Sequence, residues 1–109
     1  MSTNATISVQ MPDGSILSTY LHYDGYISEA FRKLKAYYSS QDLAEDLLEG
    51  GAMSSLGDDT ESTVYYHRDM DRQWIGVQPQ MHSTRKYFDV VLGRQSFNYL
   101  WTGQEWEVI

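Results

Sequence analysis

The hydrophobic period of this chain changes from two to about 3.6 at Gly25, and that change constrains the fold more than any other feature. Before it, ATISVQM (5–11) sets Ile7, Val9 and Met11 against Thr6, Ser8 and Gln10, the alternation of a half-buried strand. Pro12-Asp13-Gly14-Ser15 supplies the fixed φ, the side-chain acceptor and the permissive glycine of a tight turn. Residues 16–23 alternate again, with apolar side chains on both faces, so the two runs predict an N-terminal β-hairpin. After Gly25, Ile27, Phe31, Leu34 and Tyr38 fall on one helical stripe, with Ser28 placed as its cap and Arg32, Lys33 and Lys35 off the stripe. A second helix fits Gln41–Glu49, with Ser40 as N-cap, Leu43, Leu47 and Leu48 inward, and Gly50-Gly51 as its stop.

The remainder is β-rich. Residues 52–62 lack a period and read as a loop anchored by Met53 and Leu56, and TVYYHRD (63–69) has a strand's composition. Trp74, Ile75 and Val77 suggest a strand or bulged edge that Pro79 interrupts. YFDVVL (87–92), FNYLW (97–101) and EWEVI (105–109), separated by glycine-containing turns, read as an antiparallel meander. The prediction is one α+β domain over residues 1–109, an antiparallel sheet packed against two helices.

Charge distribution bounds the function. The net charge is −7, and between Ala36 and Tyr66 lie Asp42, Glu45, Asp46, Glu49, Asp58, Asp59 and Glu61 with no Lys or Arg among them. Those seven equal the whole net charge, because the other eight acids balance the eight bases. Such a lobe repels phosphate backbones and attracts basic protein surfaces, which argues against direct DNA or RNA binding. It serves equally as a solubilising face. The chain has no cysteine, which excludes disulfides and thiolate chemistry, and no apolar run approaches a spanning length, so no membrane association is expected. The N-terminus has no leader-like pattern, and the expected compartment is cytoplasmic.

Two short patterns carry the candidate chemistry. His22-x-Asp24 and His67-x-Asp69-x-Asp71 each place an imidazole and a carboxylate on one side of a strand, so they could converge on a metal if the strands were neighbours. H-x-D pairs arise readily by chance, and hydrogen-bonded strand-end residues explain them better, so no metal or other cofactor is expected. Ser54 and Ser55 lack a nucleophile elbow, and the glycines at 50, 51 and 57 lack the Lys-Ser/Thr of a phosphate loop. No catalytic constellation is complete, and the reading is a binding protein without enzymatic turnover. Arg68 and Arg72 have Asp24, Asp69 and Asp71 as available partners.

Taken together, YLHYDGY (20–26), AYYSS (36–40), LLEGGAMSSLG (47–57) and YYHRD (65–69) resemble a group of small proteins encoded by tailed phages and prophages. The likeness rests on His22, Asp24, Gly25 and Tyr26, then Gly51, Ser54, Ser55, Leu56 and Gly57, then His67, Arg68 and Asp69. Tyr23 and Ile27 stand where that pattern commonly has tryptophan and proline. The resemblance implies phage origin and assigns no reaction. Two functions follow as expectations. The first is an accessory protein in the host cytoplasm that binds and modulates or inhibits a host protein, such as a defence or nucleic-acid-handling factor. Its basic surface would meet Asp42, Glu45, Asp46, Glu49, Asp58, Asp59 and Glu61. The second is a protein that binds a nucleotide-like ligand through Tyr20, His22, Asp24, Tyr26, His67 and Arg68. An exposed tyrosine-rich sheet face also permits a homodimer.

Overall fold

The computed structural model describes residues 3–83 and 95–109. Strands β1 (Ala5–Gln10) and β2 (Ile16–Leu21) form the expected hairpin, with Ala5 opposite Leu21 and Gln10 opposite Ile16. Its turn is closed by the Ser15 N–H and hydroxyl, which both donate to Asp13 Oδ1 (2.9 and 2.6 Å). A π-type turn (Ile27–Phe31) leads into α1 (Arg32–Tyr37), followed by α2 (Gln41–Glu49). Then come β3 (Met53–Ser55), β4 (Val64–Tyr65), α3 (Tyr66–Met70), β5 (Gln80–His82), β6 (Phe97–Trp101) and β7 (Trp106–Val108).

The strands form one sheet in the order β4-β3-β2-β1-β6-β7, with β5 also on β2. The sheet is mostly antiparallel, and the fold is α+β, as the change of period requires. Two pairings are parallel, β1 with β6 and β2 with β3. β6 is therefore no simple continuation of a meander: it inserts beside β1 and reaches β7 by an antiparallel turn. The strand expected at 87–92 lies outside the described residues.

One side of the sheet carries the core. Ala5, Ile7 and Val9 of β1 meet Tyr99 and Trp101 of β6, and against them pack Leu34 and Tyr38 and then Ala44, Leu47 and Leu48 of α2. Two predicted inward residues turn out instead. Ile27 is 47% exposed because the first turn is wound as a π-turn, which rotates it off the stripe, and Leu43 is 46% exposed while Ala44 takes the inward position. Ser28 caps nothing, since the chain enters the turn through Tyr26; Ser40 does cap α2, accepting from the Leu43 N–H (3.1 Å). Gly51, at φ +83°, ends that helix in a conformation that favours glycine. Buried phenols tie the layers together. Tyr99 Oη donates to Gly25 O (2.5 Å), Tyr65 Oη to Leu47 O (2.6 Å) and Tyr38 Oη to Gly57 O (2.8 Å). No helix among the described residues is long and apolar enough to cross a membrane.

Candidate functional site

TVYYHRD does not run as a strand. Only Val64 and Tyr65 pair with β3, and at Tyr66 the chain turns into α3, which ends at Asp71 in the left-handed region (φ 55°). The cause is a side chain competing with the ladder: Asp69 Oδ2 accepts the Tyr65 N–H (2.8 Å) and closes a helical turn across five residues. The helical period then separates what alternation would have kept together.

Arg68 is the clamp of this region. Its Nε and Nη2 grip both oxygens of Asp69 (2.8 Å each), Nη1 donates to Thr60 O (2.7 Å), and Nη2 also reaches Thr63 O (2.6 Å). The guanidinium lies over the Tyr65 ring, 4.9 Å from its centroid. With most of its donors used, Arg68 holds the acidic loop onto α3. That loop is stapled from within as well. The Ser62 N–H and hydroxyl donate to Asp59 Oδ1 (2.8 Å each), Thr63 Oγ1 donates to Asp59 O (2.8 Å), and Gly57 N–H donates to Thr63 Oγ1 (3.0 Å).

The result is a groove of about 390 Å³ between α2 and α3. It is lined by Asp46 and Glu49 of α2, by Thr60 of the acidic loop, by His67 and Arg68 of α3, and by the aromatic rings of Tyr65 and Trp74. Trp74 is 39% exposed and is held edge-on by the His67 ring (5.1 Å between centroids), whose Nδ1 bonds Arg72 O (2.7 Å). Among the described residues Asp42, Asp46, Glu49 and Glu61 have no ion-pair partner. Glu45 accepts from Gln41 Nε2 (2.7 Å), and Asp58 meets Lys33 at 4.0 Å. The acidic candidates are thus displayed on a fixed scaffold, two of them along an aromatic-lined groove.

The ligand candidates are divided. Tyr20 Oη meets His22 Nδ1 (2.7 Å), and Tyr20 borders a separate cavity beside β2. Asp24 borders a small cavity of about 150 Å³ with Glu29 and Lys33, and Tyr26 packs on Phe97 (6.4 Å). His67 and Arg68 belong to the groove. His22 and Asp24 therefore do not share a cavity with His67 and Asp69, and no group of three metal-binding side chains occurs among the described residues. The residue of YYHRD that approaches the 20–23 strand end is Tyr66. Burial raises its phenol, a bond with Ser54 opposes that, and the Tyr20 and Tyr23 phenols add to the rise. Sequence reasoning also missed Tyr65, Thr60 and Trp74 as groove residues. The signal available for Tyr65 is the small Gly50, whose missing Cβ leaves room for the Tyr65 ring.

Both pH limits follow from these contacts. The Ser62 N–H and hydroxyl hold the Asp59 carboxyl below its ordinary value, and the Arg68 guanidinium, then the Tyr65 N–H, do the same for Asp69. A depressed carboxyl contributes stability that is present above the unfolded value of 3.8 and is lost as pH falls through the folded value. Melting temperature should therefore fall below about pH 4, and Asp69→Asn should flatten that limb; an identical limb in the variant would remove Asp69 from the account. At high pH the sign reverses. Burial pushes Tyr99 up to about 12 and Tyr65 higher, so their contribution is present below the unfolded value of 10.0 and is lost as pH rises past it.

Compared with protein-family models, curated proteins and solved structures, the chain matches none.

Proposed function

We propose that this is a small acidic accessory protein of phage origin that binds a basic surface of a host protein in the host cytoplasm and modulates or inhibits it by occupancy, without turnover. The observation that carries the reading is the groove: Asp46 and Glu49, which have no ion-pair partner among the described residues, line it together with Tyr65 and Trp74. An arginine side chain fits that chemistry, because its planar guanidinium takes carboxylates two-pronged and lies on aromatic rings. Asp42, Asp58, Asp59 and Glu61 extend the negative field around it and steer a basic partner inward. A defence or nucleic-acid-handling protein supplies such a surface in its own phosphate-binding face.

A fluorescently labelled arginine-rich peptide stands in for that surface. Its anisotropy should rise on titration with the protein, with an affinity that weakens steeply as salt is raised. A glutamate-rich peptide and a single-stranded oligonucleotide should give no change. Binding of the oligonucleotide, or no binding of the basic peptide at low salt, would overturn the reading.

A further inference from the structure

The cavity beside β2 shares no lining residue with the groove, and its chemistry is of another kind. β5 pairs antiparallel with β2, setting Gln80 opposite Ser18 and His82 opposite Ile16. Opposite residues share a face of the sheet, and every second residue along a strand returns to it, so Ser18, Gln80 and His82 stand together on one face. Ser18 Oγ and His82 Nε2 lie 2.8 Å apart. Ser18 is 5% exposed and lines a cavity of about 170 Å³ together with Gln78, Gln80 and Tyr20, whose hydroxyl is engaged by His22 Nδ1 (2.7 Å).

A serine hydroxyl is a weak nucleophile until a base takes its proton, and that base must stand within about 2.6–3.2 Å. With its own proton on Nδ1, the His82 ring presents the Nε2 lone pair to the Ser18 hydroxyl and meets this requirement. A side-chain carboxamide beside the nucleophile is one of the groups that stabilise the oxyanion of acyl transfer. Gln80, the cross-strand neighbour of Ser18, brings one to the same cavity. Nucleophile, base and oxyanion donor thus come from two adjacent strands whose register fixes them.

We propose that this is an acyl-transfer site for esters of short acyl groups, with Ser18 as nucleophile, His82 as general base and Gln80 as oxyanion donor. Ser18 Oγ bonds to the ester carbonyl carbon while His82 Nε2 takes the hydroxyl proton, and the carbonyl oxygen becomes negative beside the Gln80 carboxamide. The bond from that carbon to the alcohol oxygen then breaks, the alcohol leaves with the proton from His82, and acyl-Ser18 remains. Water repeats the sequence with His82 as base, releasing the carboxylic acid and restoring the serine. The cavity is below the roughly 300 Å³ at which drug-sized sites begin, so acetyl and butyryl esters fit and long-chain esters do not. The groove acts by occupancy; this site is separate from it, and its failure leaves the groove reading untouched.

The test uses the full chain with p-nitrophenyl acetate, butyrate and palmitate, and with an alkyl fluorophosphonate, which bonds covalently to activated serines. Intact mass and peptide mapping should place the phosphonyl group on Ser18, and the acetate and butyrate should be hydrolysed while the palmitate is spared. Ser18→Ala and His82→Gln should each slow hydrolysis by about a hundredfold or more, and Gln80→Ala by about tenfold or more. The labelling is read on the unaltered chain, so it decides the matter even where a variant fails to fold. The proposal is overturned if Ser18 takes no label, if the label maps to another residue, or if folded His82→Gln hydrolyses acetate at the unaltered rate.

Discussion

Leu47→Ala should lower the unfolding free energy by about 3–5 kcal/mol, seen as a fall in the urea midpoint at unchanged slope. Leu47 is fully buried in the cluster that joins α2 to the sheet, beside Leu48, Met53 and Tyr65. The truncation leaves a cavity that two rigid layers cannot close. Its carbonyl also accepts the Tyr65 hydroxyl, so loosening this turn of α2 releases the ring that floors the groove. A domain of this size is stable by roughly 5–15 kcal/mol, so the variant should sit near its limit at 37 °C. A loss under about 1 kcal/mol would mean that α2 is not packed on the sheet as described.

Asp46→Lys with Glu49→Lys should have the opposite signature, a large loss of binding with little loss of stability. Each substitution replaces an attraction to a basic ligand with a repulsion. Even after discounting for solvent screening, about 1.4 kcal/mol per position gives about a hundredfold weaker binding of the arginine-rich peptide. Neither carboxylate has an ion-pair partner among the described residues, so the melting free energy should move by no more than about 0.5 kcal/mol. The matched control is Asp42→Lys with Asp58→Lys, which changes the net charge by the same amount outside the groove. If attraction is local, the control loses far less affinity; equal losses would reduce the site to an unstructured field.

How much of this was legible follows the range of the forces involved. The hairpin, α2 with its Ser40 cap and the α+β class were readable because turn chemistry, capping and alternation act within a few residues. The position of β6 was not, since a parallel pairing of Phe97 with Ala5 depends on contacts across the whole chain. YYHRD was misread for a local reason that composition hides: the strand preference of Val64, Tyr65 and Tyr66 gives way where Asp69 and Arg68 bind the backbone around them. Of YLHYDGY, the aromatic corner was visible, whereas the assignment of Tyr20 and Asp24 to different cavities depends on contacts far along the chain. The acidic residues were all nameable from the sequence. That Asp46 and Glu49 border Trp74 and the rest do not is a tertiary fact.

The most direct measurement is an amide chemical-shift map of the 15N-labelled protein titrated with the arginine-rich peptide. The account predicts the largest shifts at Asp46, Glu49, Gly50, Thr60, His67 and the Trp74 indole, saturating together with one dissociation constant. Shifts spread evenly over every exposed carboxylate, or centred on Tyr20 to Tyr26 where β2 ends, would contradict it.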